Sequence, residues 1–220
     1  MPTGRRSFLG TLAAGAAGLA ALDLADPRVM AAQAGSHWDM TWTTKLRAKR
    51  RAVMDVPEIE DGYGVWRAII WRRQYAQVFG MEEAAINSVL IIRHNAIVLA
   101  MNNAFWSRYG IGAEKGVKDP ATGEPSPRNP VIERTGAHAL PQQFTGLTIE
   151  DFLAAGGIVL GCALALRDCA SRIAAAEQVG MEEADRRARS MVVPGVIMQP
   201  SGVLSAVVAQ DFGCRYVRAS

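Results

Sequence analysis

The sequence predicts a three-layer α/β sandwich on a mostly parallel sheet of about five strands. Two observations carry that expectation. The short apolar runs Asn87–Arg93 and Ile158–Leu160 have the composition of strands buried on both faces. They alternate with helix-forming segments in the order β-α-β-α-loop-α-β-α-α-β-α-β. Such alternation implies parallel strands, right-handed crossovers and helices on both sides of the sheet. A chain of 220 residues is long enough for one such domain with a proper core.

The N-terminus reads as an address rather than as structure. Gly4-Arg5-Arg6-Ser7-Phe8-Leu9-Gly10 has the twin-arginine export pattern, followed by an Ala/Gly/Leu stretch from Thr11 to Leu22. Ala32-Gln33-Ala34 then supplies an A-x-A cleavage site. The apolar run Phe8–Leu22 falls short of the roughly 20 residues that span a bilayer. The expected organisation is a signal peptide over 1–34, an arm over 35–50 and an α/β domain over 51–220. Export folded into the periplasm follows from the signal, with no membrane attachment once it is cleaved.

That compartment is oxidising, yet three cysteines cannot all pair, so at least one is free or bonds between chains. Cys162 and Cys169 lie on one predicted helix, about 10 Å apart along its axis, too far for a disulfide. Cys169 and Cys214 read as small buried residues. The net charge of +3 is too small to argue for nucleic acid.

In chain order, Ser36–Lys49 is polar and aromatic without a clean period, an arm leading into the domain. Arg51–Val56 is the first strand, closed by Pro57. Asp61-Gly62 opens a helix to Phe79, with Val65, Trp66, Ile69, Ile70 and Val78 on its apolar face. Arg67, Arg72, Arg73 and Gln74 form the other face, and Gly80 ends it. Asn87–Arg93 is the second strand, with His94-Asn95 at its C-terminal end and a helix from Ala96 to Tyr109.

Gly112–Gly146 is a long polar stretch with five prolines, of the kind used for lids, binding loops or subunit contacts. Thr148 caps a short helix from Ile149 to Ala155. Then come the strand Ile158–Leu160, a helix beginning near Cys162, and a charged helix from Glu182 to Arg189. A fourth strand lies within Pro194–Gln199. Pro200-Ser201-Gly202 turns it into a helix with Val203, Leu204, Val207, Val208 and Phe212 apolar. Arg215–Arg218 is the last strand.

With these elements in place, the chain resembles the DsrE/DsrF-like sulfur-relay family. The resemblance rests on His94-Asn95-Ala96-Ile97, Asn102-Asn103-Ala104-Phe105-Trp106 and Tyr109-Gly110. It continues through Lys118-Asp119-Pro120-Ala121-Thr122-Gly123, Arg128-Asn129-Pro130, the turn at Cys162, and Pro200-Ser201-Gly202-Val203 leading to Gly213 and Tyr216-Val217. It covers roughly Arg51 to Arg218. It implies a flavodoxin-like sandwich that assembles into a homo-oligomer, with a cysteine after the third strand that carries sulfur as a persulfide. Cys162 falls on that position.

The candidate site follows. A thiol at a strand end facing a helix N-terminus sits where backbone N–H groups favour a thiolate. Cys162 is therefore the candidate sulfur acceptor and His94 its candidate neighbour. Asn95, Gln199 and Ser201 occupy equivalent strand ends and are candidate ligand-binding groups. The alternative reading is a non-catalytic periplasmic binding or assembly subunit in which Cys162 is an inert packed residue.

No cofactor is expected, because the strand–helix turns lack a Gly-x-Gly-x-x-Gly pattern. No metal cluster has ligand spacing, although a mature N-terminus Gly35-Ser36-His37 has the donor set for square-planar Cu(II). The expected partners are a small sulfur species or the thiol of a partner protein.

Overall fold

Strands without a solvent face must be covered on both sides, and that requirement organises the molecule. The structure, a computed structural model, describes residues 38–132 and 142–220. Residues 1–34, read above as a signal peptide, and Gly35-Ser36-His37 lie outside the described residues.

The strands are β1 (Arg50–Val56), β2 (Ile86–Ile92), β3 (Ile158–Cys162), β4 (Val196–Gln199) and β5 (Arg215–Arg218). They form one parallel sheet in the order β4-β3-β2-β1-β5. The helices are α1 (Tyr63–Phe79), α2 (Asn103–Arg108), α3 (Ile111–Lys115), α4 (Ile149–Ala154), α5 (Ala163–Glu177), α6 (Met181–Ser190) and α7 (Gly202–Asp211), with short 3₁₀ turns between them. This is a three-layer α/β sandwich of flavodoxin-like type.

Side chains alternate across the sheet, as a strand's two-residue period requires. Ala52, Met54, Val56, Leu90, Ile92 and Val159 join the larger core, with α1, the 3₁₀ turn His94–Ala100, α4 and α5. Val53, Val89, Ile91, Ile158 and Leu160 face the other way, against α7 and the turn Thr41–Lys45. The outgoing connections of β1, β2 and β3 run over the larger core, whereas β4 exits to α7 on the opposite face. The paths therefore diverge between β3 and β4, where an open α/β sheet forms a crevice.

Four expectations change. The helix expected over Ala96–Tyr109 is instead a 3₁₀ turn, His94–Ala100, followed by α2. The break falls at Asn102, whose side chain accepts the Phe105 N–H as an N-cap. Buried Asn129 secures the same break by donating to the carbonyls of Leu99 (2.8 Å) and Met101 (2.7 Å).

The arm is also more than a leader. Trp42 and Leu46 are fully buried in the second core, because one helix does not cover that face of the sheet alone.

Arg72, expected on the solvent face of α1, is buried. It donates to the Ala155 carbonyl at 2.8 Å, pairs with Glu83 and lies over the Phe152 ring, tying α1 to α4. Ile70 and Val78, expected inside, are exposed.

Helix α7 likewise packs through Gly202, Ser205, Ala206 and Ala209, and turns Val203, Leu204 and Val207 outward. Small residues let it sit close to the sheet, which leaves its branched residues on the far side.

Candidate functional site

The site begins with a glycine. A Cβ on Gly161 would stand 2.6 Å from Met198 Sδ, so any larger residue would have to push the Met198 side chain aside. The next residue, Cys162, ends β3 and is the N-cap of α5. Its Sγ accepts the Ala165 N–H at 3.4 Å, the role a serine or aspartate usually fills. Its register partner is Gln199, the last residue of β4, so the two face each other where the chain paths diverge.

Gln199 is buried and its amide donates to the Asp39 carbonyl at 2.7 Å, folding the arm over this end of the sheet. Asp39 is held in place by the Thr41 hydroxyl and N–H, and these two bonds pull its carboxyl below the usual aspartate range. Cys162 itself is 6% exposed. Beside it lies an open cavity of about 480 Å³ whose lining includes Trp38, Ala163, Leu164, Arg167 and Pro200. Arg167 brings a guanidinium to that cavity one turn along α5. Ser201 caps α7, accepting the Leu204 N–H at 3.1 Å.

His94 and Asn95 belong to a different corner. The His94 ring is 62% exposed, and its Nδ1 lies 3.4 Å from Glu58 Oε1. The Asn95 amide donates to Glu58 Oε2 at 2.8 Å. Glu58 follows β1, on one side of β2, whereas Cys162 closes β3 on the other. The recorded contacts thus join His94 to Asn95 and Glu58, and join Cys162 to Gln199 by strand register. No recorded contact links the two groups. His94 also holds a left-handed backbone (φ 52°), which swings its side chain out of the line of β2.

On the β1–β5 side of the sheet, away from Cys162, lies a charged cluster that the sequence alone does not reveal. Buried Asp55 receives two hydrogen bonds from Arg93, both 2.8 Å, and one from the Tyr216 hydroxyl at 2.6 Å. The bond to Asp55 raises the Arg93 pKa further, and the same carboxylate raises that of Tyr216. The only available signal was an aspartate inside an apolar strand, a residue that needs a cationic partner there.

The other two thiols are buried. Burial pushes Cys169 up to about 12, despite the opposing pull of Arg172, and pushes Cys214 up to about 11. All three cysteines are free. Among the described residues no group of His, Cys, Asp and Glu is arranged to hold a metal ion. No described helix is long and apolar enough to cross a membrane.

Comparison of the chain with protein-family models and with curated proteins finds no match.

Proposed function

We propose that this chain is an exported sulfur carrier of the DsrE/DsrF type, with Cys162 as the acceptor. The observation that carries the reading is the sulfur's place as N-cap of α5, in the crevice where the connections of β3 and β4 part. A negative atom there meets backbone N–H groups and the positive end of a 15-residue helix. Loading would proceed by attack of the Cys162 thiolate on a sulfane sulfur of an inorganic polysulfide. One S–S bond forms, one breaks, and a shorter polysulfide leaves with its electron pair. Arg167 offers a counter-charge in the adjoining cavity.

In this reading the donor is a small sulfur species and the recipient a partner thiol in the periplasm. His94 is not required, because its contacts lie with Glu58. Outward Val203, Leu204 and Val207 on α7 support assembly into a homo-oligomer.

The test is peptide mass spectrometry of the folded chain after polysulfide treatment. The expected result is one added sulfur on the Cys162 peptide, reversed by a thiol reductant and absent in Cys162→Ala. Modification confined to Cys169 or Cys214 would sink the proposal. One observation favours a second reading, an inert cysteine in a binding or assembly subunit: Cys162 is nearly buried and already serves as a cap. An unmodified Cys162 under the same treatment selects that reading.

A further inference from the structure

A second cavity, of about 470 Å³, opens between the start of α1 and the loop that follows α3. Three aromatic rings wall it. Trp66 and Phe144 stack with centroids 4.4 Å apart, and Tyr63 meets Trp66 edge-on at 4.8 Å. Lys118 and Asp61 supply the charge, and Pro130 closes one side.

The polar groups here are unspent. Trp66 is 7% exposed, and its indole N–H is buried with no hydrogen-bond partner. Buried donors are almost always paired, so this one asks for an acceptor. Among the described residues Lys118 makes no ion pair. Glu60 is committed to Arg67 at 2.7 Å, which leaves Asp61 as the free carboxylate at the mouth. Helix α1 starts after Gly62, with no side-chain cap and no acidic residue in its own first turn, and Glu60 and Asp61 directly precede it.

The backbone at this mouth is held in an unusual state. Glu60, Asp61 and Gly62 have φ of 37°, 53° and 96°, a left-handed run. A Cβ at Gly62 would collide with Val131. Such conformations persist only where the surroundings enforce them, and they concentrate at ligand sites.

We propose that this cavity binds a small planar ring bearing one carboxylate. The ring lies among Tyr63, Trp66 and Phe144, and the carboxylate is met by Lys118 and the Trp66 N–H. Two unpaired donors beside the rings, the Trp66 N–H and the Lys118 ammonium, favour an anion over a cation at their side of the cavity. Asp61 at the same mouth repels a second acidic group and accepts a ring hydroxyl or amine. This site is independent of Cys162 and of the sulfur reading.

Isothermal titration of the full chain with 2-naphthoate tests it, against 2-naphthamide as the neutral isostere and 2-naphthylmethylamine as the cation. The acid is expected to bind at least roughly ten-fold more tightly than the amide, as a charge-assisted contact implies. Lys118→Gln brings the acid to the amide's affinity. Trp66→Phe, which keeps a ring and removes the N–H, weakens the acid by roughly three-fold or more. Cys162→Ala leaves the titration unchanged.

Equal binding of acid and amide, or an acid affinity indifferent to Lys118→Gln, overturns the proposal. So does the absence of heat at millimolar ligand. Tighter binding of the amine also overturns it and makes the cavity an aromatic cage for a cation, with Asp61 as counter-ion. Lys118 is exposed, and circular dichroism of each variant confirms that the fold is retained.

Discussion

The two ends of the sheet's C-terminal edge handle their polar groups in opposite ways. At the β3–β4 end the polar groups on the strand ends have partners: Cys162 caps α5, Gln199 holds the arm and Ser201 caps α7. At the β1 end the Trp66 N–H, Lys118 and Asp61 have none among the described residues. A satisfied end resists entry by anything that does not replace its hydrogen bonds. An unsatisfied end gains from the first ligand that supplies them. On the two proposals made above, the difference would suit covalent storage of one atom at the first end and reversible binding of a larger molecule at the second.

The contrast is open to attack, beginning with the closed end. Trp42→Ala empties a fully buried position under the arm and is expected to cost about 3–5 kcal/mol in urea denaturation. If the arm is the cover over Cys162, the same variant speeds labelling of that thiol under native conditions. Unchanged labelling would break the link between cover and site.

Asp55→Ala, on β1, strips the partner from both Arg93 and Tyr216. Because Arg93 is about a quarter exposed, a loss of about 3 kcal/mol is expected, at the lower end for a broken buried pair. The readout is again the denaturation midpoint, and cavity binding of 2-naphthoate should survive.

Gln199→Leu leaves the Asp39 carbonyl unpaired and should cost about 1–2 kcal/mol, while sharpening access to Cys162. At the open end, Thr148→Ala removes one half of the capping box it forms with Asp151 and costs about 1 kcal/mol in thermal or urea unfolding.

The smallest effect at ordinary pH concerns the thiols of Cys169 and Cys214. Folding raises Cys169 from 9.0 to about 12 and Cys214 from 9.0 to about 11. Protons are therefore held more tightly in the folded state, and the associated stability is fully present below pH 9. It is lost as the pH climbs from there to 11–12. Replacing both cysteines by alanine should flatten the alkaline limb of a stability–pH curve and leave the neutral region's slope unchanged.

Much of the fold was legible because the relevant signals are local. Gly80, with φ of 60°, ends α1 where the helical pattern stops, and Thr148 with Asp151 marks the start of α4. What escaped depends on distant partners. Arg72 looks like a solvent residue until the C-terminal carbonyl of α4 and the Phe152 ring arrive from more than 80 positions away. Asn102 reads as a residue within a helix until the bridge between Met101 and Val192 and the Asn129 amide hold its neighbours.

The candidate site divided for the same reason. Strand ends show which residues share an edge, so Cys162 and Gln199 were recognisable as neighbours once β3 and β4 paired. They do not show which way a side chain leans, and His94 leans to Glu58. The aromatic cavity had no motif at all, since Trp66 and Phe144 are brought together only by tertiary packing.

The position of β5 has a consequence for how the chain is made. This strand pairs with β1, the Ala219 N–H donates to the Asp55 carbonyl at 2.7 Å, and the Ser220 hydroxyl accepts the Glu58 N–H at 3.0 Å. Those contacts join residues about 160 positions apart, and α7 must cross the sheet before they form. During synthesis β1, β2 and β3 can pair early, but Val53, Val89, Ile91 and Leu160 have only the Trp42–Leu46 segment to cover them until α7 has left the ribosome. Such long-range closure is slow, and it leaves an apolar sheet face partly exposed in the interval. A nascent chain halted before residue 202 would be a substrate for chaperones, and one completed through β5 would not.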